Sequence, residues 1–287
     1  KMRLECVIGP AEAGRTIKDI LRGPMRVSAA LMRRAKTEGR IALNGEDRFV
    51  TAAVAEGDRL VFEVPEEPCA VAPEKGEVEL LWSDDGFFAL NKPAGTFTHP
   101  TGRVNSGTLL NLALYLDPTA RAVNRLDRDT SGVVLFARGA WAAALGAKLS
   151  FEKEYRALVF GAPQGGEIAL PIAREAPHAL RRVVNPDGAP SLTRISVLVS
   201  DGRASLVSLR PVTGRTHQLR VHCLAVGSPI LGDGLYKTEA SAALSRELGI
   251  TTQALHARSL AFTHPVTGER VNIEAEPERE FFKKYKL

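Results

Sequence analysis

Beyond residue 77 the chain runs as short apolar segments punctuated by turn residues, with few stretches of helical spacing between them. That rhythm constrains the fold most, because closely spaced strands joined by tight turns pair antiparallel with their neighbours. Val78 to Trp82 and Phe87 to Asn91 flank Asp85-Gly86, a hairpin signal. Further strands are expected at Val133 to Phe136, Tyr155 to Phe160, Leu192 to Val199, Ala204 to Pro211, Leu255 to Phe262 and Val271 to Glu274. Thr108 can cap a helix running to about Leu116, and a second helix is expected over Trp141 to Leu149. A third should follow the region of Arg215 and stop before Gly227, and a short one should close the chain. The expected class for residues 78–287 is α+β, a mixed, largely antiparallel sheet.

Residues 66–77 lie in a polar, proline-bearing stretch, Pro65-Glu66-Glu67-Pro68 through Pro73-Glu74-Lys75-Gly76-Glu77, and read as a linker. Ahead of it, residues 1–65 read as a small α/β head of helix, helix and hairpin. Ile17, Ile20 and Leu21 share one helical face; Arg15, Lys18 and Arg22 share another. Ser28 is placed to cap a second helix that Gly39 ends, with Leu31 and Ala35 inward, Arg33 and Lys36 outward, and Arg40 continuing their line. Asn44-Gly45 marks a hairpin turn after the strand Ile41 to Leu43, and Asp58 to Val64 closes the unit. Only Asp19 and Glu38 are acidic between residues 14 and 40, so Arg15, Lys18, Arg22, Arg26, Arg33, Arg34, Lys36 and Arg40 form a candidate phosphate-binding set. A merely solvated basic face is the plain alternative; two adjacent stripes favour RNA.

The formal net charge of +5 suits a polyanionic partner without requiring one. No apolar run approaches the ~20 residues that span a bilayer, and Lys1-Met2-Arg3-Leu4 opens no signal peptide. Cys6, Cys69 and Cys223 fit neither a disulfide framework nor a zinc spacing. They read as free thiols in a reducing cytoplasm, with no metal and no membrane partner. No sustained heptad is present, so a monomer is expected.

The run Val123-Asn124-Arg125-Leu126-Asp127-Arg128-Asp129-Thr130-Ser131-Gly132 sets two acids and two bases in one polar loop, directly before an apolar strand. Rigid scaffolds present chemistry on such loops, although Asp, Ser and Gly also simply favour turns. Around it stand, in order, Asn91-Lys92-Pro93-Ala94-Gly95 with His99-Pro100, then Lys153-Glu154-Tyr155-Arg156-Ala157-Leu158-Val159. Last comes Thr213-Gly214-Arg215-Thr216-His217-Gln218-Leu219-Arg220-Val221-His222. Over roughly residues 80 to 275 these segments resemble the RluA-type family of RNA pseudouridine synthases, and the head resembles the S4 RNA-binding domain.

The resemblance implies an isomerase that breaks the N1–C1′ bond of a uridine and rejoins the base through C5. The chemistry needs a carboxylate at C1′ and a polar cage for the free uracil, but no cofactor. Asp127 matches the catalytic aspartate, Arg215 the arginine paired with it, and Tyr155 a tyrosine able to stack on the base and serve proton removal at C5. Arg125 is placed to fill the stack that an extruded base vacates. Asn124, Arg128, Lys153, Arg220 and Lys92 are further substrate-contact candidates, Lys92 and Lys153 as site walls or phosphate contacts. His217 and His222 read as structural or RNA-contacting rather than metal-binding, and Asp129 as a loop-capping acid.

Two positions depart from the family pattern: Asn124 stands where histidine is usual, and Lys237 follows Gly232-Asp233-Gly234-Leu235-Tyr236 where glycine is usual. A non-catalytic RNA-binding or assembly factor on the same fold is the alternative, disfavoured by the intact Asp127, Tyr155 and Arg215 set. A glycoside hydrolase using Asp127 and Asp129 fails, since carboxylates two apart on one loop have no reason to flank a sugar. Ribosomal RNA is the favoured partner, with transfer RNA open.

Overall fold

The computed structural model describes residues 2–66, 69–102, 104–277 and 282. The head holds β1 (Met2–Val7), α1 (Ile17–Arg22), α2 (Ala29–Glu38), β2 (Arg40–Leu43), β3 (Glu46–Asp47) and β4 (Arg59–Val64). Its strands pair in the order β1-β4-β2-β3. Thr16 and Asp19 form a capping box on α1, and the Ser28 hydroxyl accepts the Leu31 N–H at 3.2 Å to start α2. Asn44 and Gly45 both take positive φ, 53° and 86°, as the tight hairpin turn demands. Ile17, Ile20, Leu21, Leu31, Ala35 and Phe62 bury into one core. β1 is an addition to the expected elements, although its burial alternates along all six residues.

The body adds β5 (Glu79–Ser83), β6 (Phe87–Lys92), α3 (Leu109–Leu116), β7 (Ala120–Ala122), β8 (Ser131–Arg138), α4 (Gly139–Gly146) and β9 (Glu152–Phe160). Then follow β10 (Gly166–Ile168), β11 (Ile172–Arg174), β12 (Arg182–Val184), β13 (Thr193–Ser200), β14 (Ala204–Pro211), α5 (Gln218–Ala225), α6 (Glu239–Glu247), β15 (Leu255–Thr263) and β16 (Arg270–Glu274). The main sheet runs β10-β13-β14-β9-β15-β8-β6-β5, with β7 on β8 and β16 on β15. It is the mixed, largely antiparallel α+β sheet expected: every pairing in it is antiparallel except β15 with β8. The expected terminal helix lies outside the described residues.

That one parallel contact positions the site. Gly132 pairs with Ala257, and Ala257 pairs in turn with Tyr155, so the polar loop ending at Gly132 is set two strands from Tyr155. Gly132 has φ of 113°, and a Cβ there would lie 2.2 Å from the Ala257 carbonyl oxygen. Only glycine permits both the dihedral and the close approach.

The segment read as a linker is docked rather than free along its described length. Cys69 and Val71 pack against the core under α3, and the Glu74 N–H donates to the Asn111 carbonyl at 2.9 Å. Head and body also touch: the Trp141 ring packs on the head core and its Nε1–H donates to the Met25 carbonyl at 3.1 Å. Among the described residues no helix is long and apolar enough to cross a membrane.

Candidate active site

A cleft of about 390 Å³ opens where the loop before β8, the start of β9 and the β14–α5 connection converge. Asp127, Arg125, Lys153, Tyr155, Arg215, His217 and Arg220 all line it. The loop is tied down from several sides. The Thr98 hydroxyl accepts the Leu126 N–H at 3.1 Å and donates to the Leu126 carbonyl at 3.0 Å. Asp127 accepts the Thr130 N–H at its own carbonyl, 3.1 Å away, and the Gln253 amide donates to the Thr130 hydroxyl at 2.5 Å.

Asp127 is half-buried, and its carboxylate takes a 2.9 Å hydrogen bond at Oδ2 from Nη1 of Arg220. The other edge of that guanidinium grips Asp233, with Nε to Oδ2 at 2.6 Å and Nη2 to Oδ1 at 2.9 Å. Asp233 is wholly buried and also accepts the Leu235 and Tyr236 N–H groups at 2.9 and 3.0 Å. Burial opposes the Arg220 charge, but the bonds to Asp233 and the field of Asp127 outweigh it and raise its pKa. One cation therefore faces two carboxylates. Among the described residues no group bonds Oδ1 of Asp127.

The arginine paired with Asp127 is thus Arg220, not Arg215. Arg215 precedes α5 in the connecting loop, where its Nε donates to the Pro190 carbonyl at 3.3 Å. Arg220 stands within α5, whose start is organised by Gln218. That side chain accepts from the Arg215 N–H and the Thr213 hydroxyl and donates to Leu192 and Thr193, at 2.7–3.0 Å.

Tyr155 forms part of the cleft wall. Burial and the neighbouring Asp127 charge both push its phenol well above the usual range, so it remains a neutral hydroxyl at physiological pH. Lys153 also lines the cleft, with burial lowering its pKa and Nζ 5.7 Å over the Phe151 ring. Arg125 is exposed at the mouth, its Nη1 3.5 Å from His99 Nε2.

Three other candidates are differently employed. Asn124 accepts the Leu135 N–H at 2.7 Å and donates to the Val133 carbonyl at 3.4 Å, so its amide anchors the loop to β8. Arg128 makes a two-pronged bond to Asp129, 2.9 Å on each prong, outside the cleft lining. Lys92 is fully buried, its ammonium donating to the carbonyls of Pro93, Thr96 and Arg128 at 3.0, 2.6 and 2.8 Å. It fastens the polar loop to the end of β6 and cannot reach a phosphate.

His222 is buried with ring nitrogens 2.9 Å from the Thr193 hydroxyl and the Leu170 carbonyl, a structural placement. The sequence marks Asp233 and Tyr236 only as part of the motif before Lys237. Their part in the site depends on contact with Arg220, which spacing alone does not disclose.

In the head, Arg15, Lys18, Arg22, Arg26, Arg33, Lys36 and Arg40 are exposed. Arg40 pairs with Asp47, Nε to Oδ1 at 2.5 Å, and Arg26 reaches the Pro265 carbonyl of the body. Arg34 departs from the phosphate-binding expectation: it is mostly buried, bonds Glu38 at 2.9 Å and caps the Pro65 carbonyl.

The sequence profile of the RNA pseudouridylate synthase family matches residues 86–225. YhcT of Bacillus subtilis, an RNA pseudouridine synthase termed uncharacterized, is 35% identical over 95% of this chain and 93% of its own. Ribosomal large subunit pseudouridine synthase C of Yersinia pestis is 36% identical over 93% of this chain and 90% of its own. The solved structure of human RNA pseudouridylate synthase domain containing 1 is 29% identical, with a TM-score of 0.58 over 74% of this chain and 86% of that one.

Proposed function

Since this chain belongs to the RluA-type family of RNA pseudouridine synthases, isomerases that act on RNA, we propose that it isomerises uridines of ribosomal RNA and that Asp127 works at C1′ without a cofactor. The observation that carries the reading is the Asp127 carboxylate in an open cleft, oriented at 2.9 Å by an arginine that Asp233 locks from behind. A guanidinium so fixed keeps the carboxylate aimed, as a nucleophile or base at C1′ requires.

Tyr155 supplies a wall on which the flipped base stacks, and its neutral hydroxyl is a donor in the same cleft. Arg125, exposed at the mouth, takes the place of the extruded base in the RNA. Ribosomal RNA is favoured over transfer RNA because relatives of high similarity are named as large-subunit synthases C and D. Residues 1–65 serve on this reading as an S4-like RNA-binding domain, through the exposed basic residues of α1 and α2.

The test is release of tritium from C5-labelled uridine in ribosomal and transfer RNA transcripts. Joining C5 to the sugar must expel that hydrogen. Release by the natural protein and none by Asp127→Ala, with RNA affinity retained, is the expected result. Binding without release by either protein would instead favour a non-catalytic RNA-binding factor.

A further inference from the structure

Tyr236 lies fully buried behind Arg220, its ring 4.8 Å from the guanidinium carbon. Its hydroxyl oxygen accepts the Arg182 backbone N–H at 2.8 Å and stands 2.8 Å from Nδ1 of His217. An oxygen that accepts from Arg182 turns its own hydrogen elsewhere, and among the described residues Nδ1 of His217 is the acceptor in reach. With Nδ1 accepting, a neutral imidazole must carry its hydrogen on Nε2.

Nε2 faces the catalytic cleft, 3.8 Å from Oδ2 of Asp127. That separation is too long for a hydrogen bond, and among the described residues Nε2 has no other acceptor. The donor is therefore fixed in direction and uncommitted. His217 also holds a left-handed backbone, φ 57° and ψ 16°, immediately before α5, and makes no capping bond to the helix. A non-glycine residue persists there only when its surroundings over-determine it, and the Tyr236 bond is such a constraint.

The charges around the ring oppose one another. Burial lowers its pKa most; Asp127 and Asp233 raise it, while Arg220 and Arg182 lower it, and the net result is lowered. Arg215 and Lys153, in the same cleft, add positive charge nearby.

When N1 parts from C1′ the bonding electron pair leaves with the base, and the charge spreads onto the uracil carbonyl oxygens. This holds whether Asp127 attacks C1′ or removes a proton from the sugar. We propose that His217 is a catalytic donor, its Nε2–H bonding a uracil carbonyl oxygen as that charge develops, and that Tyr236 is a positioning residue that fixes the tautomer. The proposal rests on the reading of Asp127 given above.

Two experiments test it. In ¹⁵N-histidine-labelled protein, long-range proton–nitrogen correlation at pH 7 should find His217 as the Nε2–H tautomer and Tyr236→Phe should lose that preference. An Nδ1–H ring or an imidazolium in the natural protein would overturn it. In single-turnover tritium release, His217→Ala should slow the reaction about 10²-fold, the usual cost of one such donor, with little change in RNA affinity. His217→Gln, whose amide reaches the Nε2 position, should recover about tenfold of that loss. His217→Asn, which suits the left-handed backbone but reaches only towards Tyr236, should not.

An Ala variant within threefold of the natural rate, or Gln no better than Ala or Asn, would refute the donor role. If the Ala variant does not fold, the Gln–Asn contrast and the tautomer still decide. No tritium release by the natural protein would sink the underlying reading while leaving the tautomer result standing, so the two failures are distinguishable.

Discussion

Arg220 holds two carboxylates at once, and they differ in burial. Asp233 is sealed from water while Asp127 is about one-third exposed, so removing the cation harms the first more. Arg220→Met should destabilise the fold by about 3–5 kcal/mol, the cost of an unpaired buried charge, read as a lowered urea midpoint at constant slope. Arg125 carries a different burden. Arg125→Ala should lower kcat/KM about tenfold on structured RNA, with a clearly smaller drop on an unstructured oligonucleotide, where no base must be extruded. The residues are unevenly legible in the sequence. Asp127, Tyr155, Lys153 and Arg125 converge on the cleft from segments that sequence motifs single out. The choice between Arg215 and Arg220 is not legible, because both lie in one motif and only the start of α5 determines which turns to Asp127. Lys92 has the charge of a phosphate ligand but lies buried beneath the loop; charge says nothing of depth.

At the scale of elements, the join of β8 to β15 is the most demanding. Gly132→Ala should cost more than about 2 kcal/mol, since it meets both a positive φ and a backbone oxygen; absence of cooperative melting near the natural midpoint would check it. The packing of α5 predicts a pH effect. Burial lowers the pKa of His222 from 6.5, so below that value the unfolded chain takes a proton that the folded one refuses. Stability should fall as pH drops below 6.5 towards the depressed folded value. The urea midpoint should decline as the solution is acidified through that window, less so in His222→Gln. On the same helix, burial pushes the Cys223 thiol up to about 12, so it should resist a thiol reagent at neutral pH until the protein is unfolded. Elements with strong punctuation are readable: Thr108 caps α3, Ser28 caps α2, and Asp84 accepts the Gly86 and Phe87 N–H groups in the β5–β6 turn. The three-residue strands β7, β10, β11 and β12 are not, because segments so short carry no period and are held by their partners.

At the scale of the molecule, the proposed function assigns binding to the head and chemistry to the cleft. Replacing Arg33 and Lys36 by Glu should weaken RNA binding and flatten its salt dependence by about 0.7–0.9 for each phosphate no longer neutralised, leaving the single-turnover rate at saturating RNA unchanged. The two-part organisation is visible in composition; the docking of residues 69–77 along α3 is not, since it joins isolated groups such as the Asn111 amide and the Ala72 carbonyl, 2.8 Å apart, that no spacing links.

The place of β15 has a consequence for how the protein comes into being. It lies between β8 and β9 although it follows them by more than ninety residues. During synthesis, the strands that bear the polar loop of Asp127 and Tyr155 have no common neighbour until residue 257 has left the exit tunnel. The cleft is thus a late product of translation, and a nascent chain stalled before that point carries basic helices without an assembled centre. An arrested chain ending at residue 250 should retain RNA affinity and give no tritium release.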